Sequence, residues 1–337
     1  MGRHKISFLD IMAPDVYDVI HGCLPDDFEI DFVNSNDPDL HFKSVRDATF
    51  ILTGYAPVNS ALISAAPHLK LIQKWGIGYD KIDLEAARQA GVGVSIAFGC
   101  NAGPVAELAI GLMLAVYRHI PLCDRRLREG VSLKQRMRSI AFQISGKTVG
   151  LFGFGNIARM VAHRLRGFDV DVIYYDVRGA DPVTEAALNA RRVSFDELLA
   201  SSDILSVHAP LNAGTRNAID ATAISKMKQG AVIINTARGG VVNERDLYEA
   251  LASGKLLGAG VDAFEVEPPP ADHPFMALDN VVVTPHSGGG VFDNVENVAR
   301  HAFRNMRLCL DNTEMPREDV IVAPGQKLER HLAGGAK

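Results

Sequence analysis

A glycine-rich segment in the middle of the chain, residues 147–158 (KTVGLFGFGNIA), limits most strongly what this sequence can fold into. A strand predicted at Thr148–Phe152 runs into the spacing Gly153-x-Gly155-x-x-Ala158, and a helix is predicted directly after it, at Ile157–Arg166. The first glycine permits a tight turn, the second lets a pyrophosphate approach the backbone, and the small third residue lets the helix pack against the strand. The segment therefore predicts a dinucleotide site at the start of a helix.

The next predicted strand, Val170–Tyr175, ends in Asp176, about 20 residues beyond the glycines. A carboxylate at this place binds the hydroxyls of the adenosine ribose, and its charge repels a 2′-phosphate. Arg178, two residues further on, is of the type that can accommodate that phosphate. We expect NAD as the cofactor, with NADP as the less favoured alternative.

The composition is that of a globular protein with room for two domains. The chain has 337 residues, of which 47% are hydrophobic and 22% charged, and its net charge is −5. The one notable basic run is Arg125–Arg128 (RRLR), and we interpret it as the solvated end of a helix. The sequence thus argues against a nucleic-acid partner and against binding to a membrane.

The four cysteines, Cys23, Cys100, Cys123 and Cys309, are scattered and lack histidine neighbours at metal-binding spacing. We expect free thiols and no metal site. The N-terminus enters a predicted strand without an apolar leader segment, and no apolar run is long enough to cross a bilayer. These features predict a cytoplasmic protein.

Short apolar strands alternate with helices along most of the chain, which predicts two doubly wound α/β domains. No phosphate-binding turn follows the strands of the first hundred residues, so we expect the second domain to bind the cofactor. The second run of strands ends near residue 288, and a later helix, Asn294–Leu310, is free to return to the first domain. We expect a discontinuous first domain at 1–98 plus 290–337, a dinucleotide-binding domain at 99–289, and a loose tail at Ala323–Lys337.

The predicted strands fall into two groups. They are Ile6–Leu9, Phe28–Val33, Thr49–Leu52, Leu69–Gln73 and Gly93–Ile96 in the first domain, and Thr148–Phe152, Val170–Tyr175, Ile204–Val207, Ala231–Asn235, Gly258–Val261 and Val281–Thr284 in the second.

Three segments bring polar side chains to strand ends of the second domain. Arg238 follows the strand Ala231–Asn235, Glu267 follows the next strand, and His286 follows the last one. Open α/β sheets bind their ligands at the carboxyl ends of strands, so these side chains are candidates for an acid–base site.

These segments, NTARGG (235–240), DAFEVEP (262–268) and TPHSGG (284–289), together with GFGNIA (153–158), resemble the signature segments of the D-isomer-specific 2-hydroxyacid dehydrogenases. The resemblance extends to KWGIGYDKID (74–83), NAGPVAELAIGLML (101–114) and HAPLNAGTR (208–216), and thus covers nearly the whole chain. It implies a flavodoxin-like substrate domain that is split in sequence, and a Rossmann domain with NAD in the cleft.

The resemblance also implies a role for each candidate catalytic residue. His286 would exchange a proton with the substrate's oxygen, a task for which imidazole is suited near neutral pH. Glu267 would hydrogen-bond the other ring nitrogen and stabilise the imidazolium. Arg238 would bind the carboxylate and keto oxygen of the substrate with its planar fork of donors.

Further contacts follow from the same resemblance. The substrate would contact Trp75, Gly76, Ile77, Gly78 and Arg238. The cofactor would contact Gly153, Phe154, Gly155, Asn156, Ile157, Asp176, His208, Ala209, Pro210, Thr215, Thr236, Ala237, Arg238, Asp262, His286 and Gly288. Val105–Glu107 matches the family's dimer-facing element and opens an apolar helix, which predicts a homodimer.

The sequence leaves the substrate open. A small keto acid such as glyoxylate or hydroxypyruvate is favoured, because the arginines that meet the phosphate in phosphoglycerate-using members are replaced here by Thr53–Tyr55 and by Lys74. There are three alternatives. The substrate is a bulkier 2-keto acid, or it is 3-phosphoglycerate, or the protein is an NAD(H)-sensing corepressor with little turnover. Formate dehydrogenases share the scaffold but carry glutamine where Glu267 stands. The direction of the reaction and the effect of Pro104 are not predicted.

Overall fold

The structure is a computed structural model that describes residues 3–325, and the described chain divides into two compact units. The first unit extends to Asn101 and resumes at Val291, and the second is Ala102–Gly290. These ends differ by at most three residues from the division expected at residues 98 and 290. Most of the tail predicted at Ala323–Lys337 lies outside the described residues.

The first unit begins with alternating strands and helices. They are β1 (His4–Phe8), α1 (Pro14–Gly22), β2 (Phe28–Phe32), α2 (Pro38–Val45), β3 (Phe50–Thr53), α3 (Ser60–Ser64), β4 (Leu71–Lys74), α4 (Leu84–Ala90) and β5 (Gly93–Ser95).

The second unit starts with three helices and continues as a second α/β run. Its elements are α5 (Ala102–Tyr117), α6 (Ile120–Arg128), α7 (Lys134–Ile140), β6 (Thr148–Phe152), α8 (Asn156–Leu165), β7 (Asp171–Tyr175), α9 (Pro182–Leu188), β8 (Ala190–Arg192), α10 (Phe195–Ser201), β9 (Ile204–Val207), α11 (Ala221–Lys226), β10 (Ala231–Asn235), α12 (Glu244–Ala252), β11 (Leu256–Val261) and β12 (Val281–Val283). The chain then returns to the first unit with α13 (Val295–Leu310) and β13 (Val320–Val322).

The sheet of the first unit has the strand order β13-β5-β4-β3-β1-β2. Strands β1 to β5 are parallel and follow the flavodoxin-like order 2-1-3-4-5, which confirms the predicted fold class for this unit. Strand β13 pairs antiparallel with β5, and the sequence did not predict it. Separate apolar clusters cover the two faces, and α13 contributes Phe303 and Met306 to the cluster that contains Phe8 and Phe50.

The sheet of the second unit has the order β12-β11-β10-β9-β6-β7-β8, and the described pairs are all parallel. Numbered within the unit, this is 3-2-1-4-5-6-7, the doubly wound order of a Rossmann domain with one further strand. The prediction of six strands was wrong by one, because β8 (Ala190–Arg192) was not foreseen. The carboxyl ends of β12, β11, β10, β9, β6 and β7 lie in consecutive order along one edge.

Helix α5 is apolar on most sides because the core of its own unit buries it. It packs against α8, β10 and β11, and Ala106, Ala109 and Met113 are fully buried. Glu107 forms an ion pair with Arg164 of α8. The apolar character of this helix is thus explained within one chain and does not by itself support a dimer.

Within residues 3–325, no single helix is long and apolar enough to cross a bilayer. The bent pair α5 and α6 has the length and composition for a broken span only when its two helices are counted together.

Candidate active site

The turn after β6 has the geometry that a dinucleotide requires. Gly153 has a φ of +90°, and a β-carbon there would lie 2.7 Å from the backbone nitrogen of Ala209 at the end of β9. Gly155 precedes the first residue of α8, caps it with no side chain, and has open space where its β-carbon would project. The backbone at this helix start is therefore accessible to a phosphate, as the glycine spacing predicts.

Asp176 lies directly after β7, beside the glycine turn. Its Oδ2 accepts a hydrogen bond from the Phe154 N–H (2.7 Å), and its Oδ1 accepts one from the Arg178 N–H (2.9 Å). The carboxylate is thus fixed next to the turn, where it suits the ribose hydroxyls, while the Arg178 residue is exposed.

All the predicted cofactor residues follow strand ends along the same edge of the sheet in the second unit. They are Gly153 to Ile157 after β6, Asp176 after β7, His208, Ala209, Pro210 and Thr215 after β9, Thr236 to Arg238 after β10, Asp262 after β11, and His286 and Gly288 after β12.

Two buried polar atoms at this edge lack a hydrogen-bond partner among the described residues. They are Oγ1 of Thr236, a residue only 7% exposed, and Nδ1 of His208, whose Nε2 pairs with the Ser206 hydroxyl at 2.8 Å. A buried polar group without a partner is costly, so both atoms fit a site that a polar ligand completes. Burial of the His208 ring lowers its pKa to about 3, so this side chain carries no charge at neutral pH.

The candidate acid–base pair is formed. The His286 Nδ1 lies 2.7 Å from the Glu267 Oε1, and both side chains are largely buried, at 23% and 21% exposure. The same Glu267 oxygen accepts a hydrogen bond from the Phe264 N–H at 3.2 Å. A carboxylate on one ring nitrogen orients the imidazole and leaves proton exchange to the other, Nε2.

The backbone that carries His286 is held by Asp262, which is 1% exposed. Its Oδ1 accepts hydrogen bonds from the Thr284 hydroxyl (2.6 Å) and the Ser287 N–H (2.8 Å), and its Oδ2 accepts one from the Gly288 N–H (3.0 Å). The sequence-based role for Asp262 was a contact with the nicotinamide carboxamide, and that role stays a prediction. What the structure shows is a carboxylate that shapes the turn around His286.

The turn that carries Arg238 is held by Asn235, the last residue of β10. The Asn235 amide donates to the Arg238 carbonyl (3.0 Å), and its oxygen accepts from the Ala237 N–H (3.1 Å). Gly239, which follows Arg238, lies very close to the Phe264–Glu265 peptide. A β-carbon on Gly239 would overlap that peptide. The segments that carry Arg238 and Glu267 are therefore packed directly against each other.

In the first unit, the predicted substrate turn Gly76–Gly78 follows β4. Gly76 has a φ of +115°, and its carbonyl accepts a hydrogen bond from the Ala97 N–H (2.9 Å). Trp75 stacks on Phe8 at 5.7 Å between ring centroids, so part of its ring belongs to the core of this unit. Its predicted contact with substrate stays a prediction, as do those of the turn.

The neighbouring loop of the first unit uses its charged residues internally. Asp10, 4% exposed, accepts hydrogen bonds from three successive backbone N–H groups, those of Gly54, Tyr55 (2.6 Å) and Ala56 (2.8 Å). The ammonium group of Lys74, a residue 8% exposed, donates to the Gly54 carbonyl. Loop and lysine thus form one packed arrangement at the ends of β1, β3 and β4.

Sequence reasoning did not assign a role to Asn235, Gly239, Glu244 or His273, although the first two lie inside a recognised segment. A signal was present for Gly239, since two successive glycines, Gly239 and Gly240, follow Arg238 and glycine permits a close backbone approach. Glu244 and His273 gave no such signal. Within residues 3–325, no group of three or more His, Cys, Asp and Glu side chains is arranged to hold a metal ion.

Comparison with known proteins shows the family to which the chain is similar. Residues 110–288 match the family model described as D-isomer specific 2-hydroxyacid dehydrogenase, NAD binding domain. The chain is similar to a hydroxypyruvate reductase of Thermotoga maritima, with 43% identity over 253 residues, which are 74% of this chain and 78% of the relative.

Two further similarities extend over most of the chain. A D-3-phosphoglycerate dehydrogenase of Mycobacterium tuberculosis is 37% identical over 99% of this chain, which spans only 61% of the length of that relative. The solved structure of an NAD-dependent formate dehydrogenase from Staphylococcus aureus in complex with NAD aligns with a TM-score of 0.81 and 31% identity, over 95% of this chain and 100% of the other.

The chain belongs to the D-isomer-specific 2-hydroxyacid dehydrogenases. It is an NAD-dependent enzyme of this class, with NAD as its cofactor.

Proposed function

We propose that the protein interconverts a 2-keto acid and a D-2-hydroxy acid, and that its substrate is a small keto acid such as glyoxylate or hydroxypyruvate. The observation that carries the proposal is the His286–Glu267 pair at 2.7 Å, whose members follow β12 and β11, the two strands next to β10 and its Arg238 turn. The similarity to a hydroxypyruvate reductase supports the choice of substrate.

The roles of the chain's own groups follow from their chemistry. NADH, when bound, supplies the hydride that reduces the carbonyl carbon. His286 gives a proton from Nε2 to the carbonyl oxygen, and the charge of Glu267 stabilises the imidazolium that must be present before that step. Arg238 binds the carboxylate and keto oxygen of the substrate. The contact of the Gly76–Gly78 backbone with the carboxylate stays a prediction from the sequence. In the direction of oxidation, His286 accepts the proton.

A phosphorylated substrate is the second candidate, because a phosphoglycerate dehydrogenase matches 99% of this chain. The loop of the first unit argues against it. Lys74 already donates to the Gly54 carbonyl and is buried, and Asp10 already accepts from the three N–H groups of the Gly54–Ala56 loop. A phosphate brought to this loop would meet the charge of Asp10, and Lys74 cannot supply the bidentate geometry of an arginine.

A homodimer and a cytoplasmic location are further predictions from the sequence. Exposed apolar side chains support a subunit contact in this part of the second unit: Ile120 and Leu127 lie on α6, and Val131 and Phe142 lie in the segments on either side of α7. Sedimentation equilibrium checks the dimer, and a monomer at micromolar concentration would contradict it.

The proposal is tested by following NADH oxidation at 340 nm across a panel of keto acids. The panel contains glyoxylate, hydroxypyruvate, 3-phosphohydroxypyruvate, and branched and aromatic 2-keto acids, each measured with NADH and with NADPH. We expect the highest kcat/KM for glyoxylate or hydroxypyruvate with NADH. Preference for the phosphorylated substrate would favour the second candidate, and tight NADH binding without turnover on any acid would favour an NAD(H)-sensing regulator.

Replacement of the acid–base residue tests the mechanism directly. His286→Ala is expected to lower kcat by at least about 100-fold, since general acid–base catalysis contributes on the order of 10²–10⁴-fold, while the Kd for NADH changes little. Kinetics and NADH fluorescence titration measure the two effects. The control is His163→Ala, because His163 is exposed on α8. Equal loss of NADH binding and turnover would mean that His286 has a structural role instead.

A further inference from the structure

Glu244, the first residue of α12, makes contacts that none of the proposed catalytic roles requires. Its side chain is 19% exposed, and its Oε1 accepts a hydrogen bond from the Glu265 N–H at 2.7 Å. Its Oε2 lies 3.1 Å from the His273 Nε2. A carboxylate at the start of a helix thus binds the backbone of the segment Phe264–Glu267 from outside that segment.

His273 completes this contact. Its Nδ1 accepts a hydrogen bond from the Phe275 N–H (3.3 Å), so the ring hydrogen is on Nε2, which donates it to Glu244. The ring also packs edge-on against Phe264, with 5.4 Å between centroids, and the side chain is 12% exposed. The pair therefore contacts both Phe264 and Glu265.

The segment Phe264–Glu267 has few other constraints on its outer side. Val266 is 66% exposed, and Glu265 is exposed as well. The position of Glu267 nevertheless depends on this backbone, because the Glu267 Oε1 accepts the Phe264 N–H and pairs with the His286 Nδ1. Because the outer side is exposed, the position of the segment depends on the contacts of its inner side.

We propose that Glu244 and His273 are positioning residues of the enzyme: they hold the segment Phe264–Glu267 so that Glu267 stays paired with His286. This inference rests on the proposed function of the His286–Glu267 pair. Neither residue takes part in the proton transfer. Their effect is exerted through Glu265 and Phe264, and misplacement of a catalytic group by about 1 Å can cost on the order of 100-fold in rate.

The test compares Glu244→Ala with Glu244→Gln in the full-length chain. Glu244→Ala removes both contacts, and we expect kcat for keto acid reduction to fall about 10- to 100-fold, with the Kd for NADH unchanged within about twofold. The solvent deuterium isotope effect on kcat is expected to rise, because the proton transfer becomes slower. Glu244→Gln keeps an acceptor for the Glu265 N–H, so it is expected to retain more activity than the alanine variant.

A matched control comes from the same helix. Glu249 forms an exposed ion pair with Arg245, and Glu249→Gln should leave kcat and the isotope effect unchanged. If Glu244→Ala does not fold, His273→Phe takes its place, since it keeps an aromatic ring against Phe264 and removes the nitrogen that donates to Glu244. For His273→Phe we expect a smaller loss in kcat than for Glu244→Ala, and we expect the isotope effect to rise again.

Two outcomes would overturn the positioning role: an unchanged kcat in Glu244→Ala, or a loss of kcat that is matched by an equal loss of NADH affinity. The proposed function fails separately. Full turnover by His286→Ala would refute the acid–base pair itself, whereas an inactive His286→Ala together with a fully active Glu244→Ala would refute only the positioning role.

Discussion

His286 is held in a backbone conformation that side chains rarely adopt. Its φ is +53°, in the left-handed region, which costs a residue other than glycine on the order of 1–3 kcal/mol. Asp262 offsets this cost: its carbonyl accepts the His286 N–H (2.9 Å), and its carboxylate binds Thr284, Ser287 and Gly288. The strain is thus located at the residue to which we assign the proton transfer, and the neighbouring buried carboxylate maintains it.

Gly239 lies at the contact between the Arg238 turn and the segment Phe264–Glu267, so its replacement tests that contact. A β-carbon at this position would overlap the Phe264 carbonyl group, so Gly239→Ala must push Phe264–Glu267 away from the Arg238 turn. We expect kcat/KM to fall by about 100-fold or more and the Tm to fall by several degrees. Steady-state kinetics and thermal unfolding measure both.

The control for this variant is Gly111→Ala. Gly111 lies within α5 and has open space where its β-carbon would project, so alanine should raise stability slightly through its helix propensity. If Gly239→Ala keeps full activity and the wild-type Tm, the two segments can separate without cost, and their close packing has no catalytic importance.

Because the His208 ring is buried, we expect the free energy of unfolding to depend on pH. The pKa of the ring is about 3 in the folded protein because of burial, and about 6.5 when the chain is unfolded. Between these values the unfolded state binds more protons, so this residue lowers the free energy of unfolding as the pH falls from 6.5 towards 3. At pH 5, this residue is expected to make the free energy of unfolding about 2 kcal/mol lower than at pH 7.5.

Urea unfolding of the wild type and of His208→Gln at both pH values isolates this contribution. The variant has no imidazole to protonate, and it should lose less stability on acidification. An identical loss in the two proteins would show that the His208 ring is solvated well enough to titrate normally.

Elements with fully buried apolar sequences were predictable. Strands β6, β9 and β10 begin and end at the predicted residues, because a short apolar run bounded by polar residues has one position in a covered parallel sheet. Strand β8 was missed because it is a three-residue edge strand, ARR, in which Arg191 and Arg192 are exposed. Strand β13 was missed because its pairing with β5, more than 200 residues away, is not visible in local sequence.

The same distinction holds for the site. His286, Glu267 and Arg238 could be predicted because each follows a strand end and belongs to a recognisable segment, and the structure brings Glu267 and His286 together. Glu244 and His273, which contact the segment that carries Glu267, could not. Their contacts join residues more than 20 positions apart through one carboxylate, and a lone Glu and a lone His in sequence carry no sign of such a contact.

The path of the chain makes the first unit depend on residues that follow the second. Helix α13 supplies Val295, Ala299, Ala302, Phe303 and Met306 to the cluster around Phe8 and Phe50, and Trp75 packs against this cluster just before the turn Gly76–Gly78. The predicted cofactor residues, in contrast, all belong to the second unit, which has its own apolar clusters. Damage to α13 should therefore affect the substrate turn more than the cofactor site.

Phe303→Ala tests this separation, because Phe303 is 3% exposed. Removal of a buried phenylalanine costs about 3–5 kcal/mol, so the unfolding transition that involves the first unit should move to lower urea concentration. At 15 °C, where we expect the variant to remain folded, the KM for the keto acid should rise while the Kd for NADH stays near the wild-type value. Phe292→Ala is the control, since Phe292 is 58% exposed and its removal should have little effect. If NADH binding weakens in parallel with keto acid binding, the cofactor site depends on the core of the first unit, and the two units are not energetically separate.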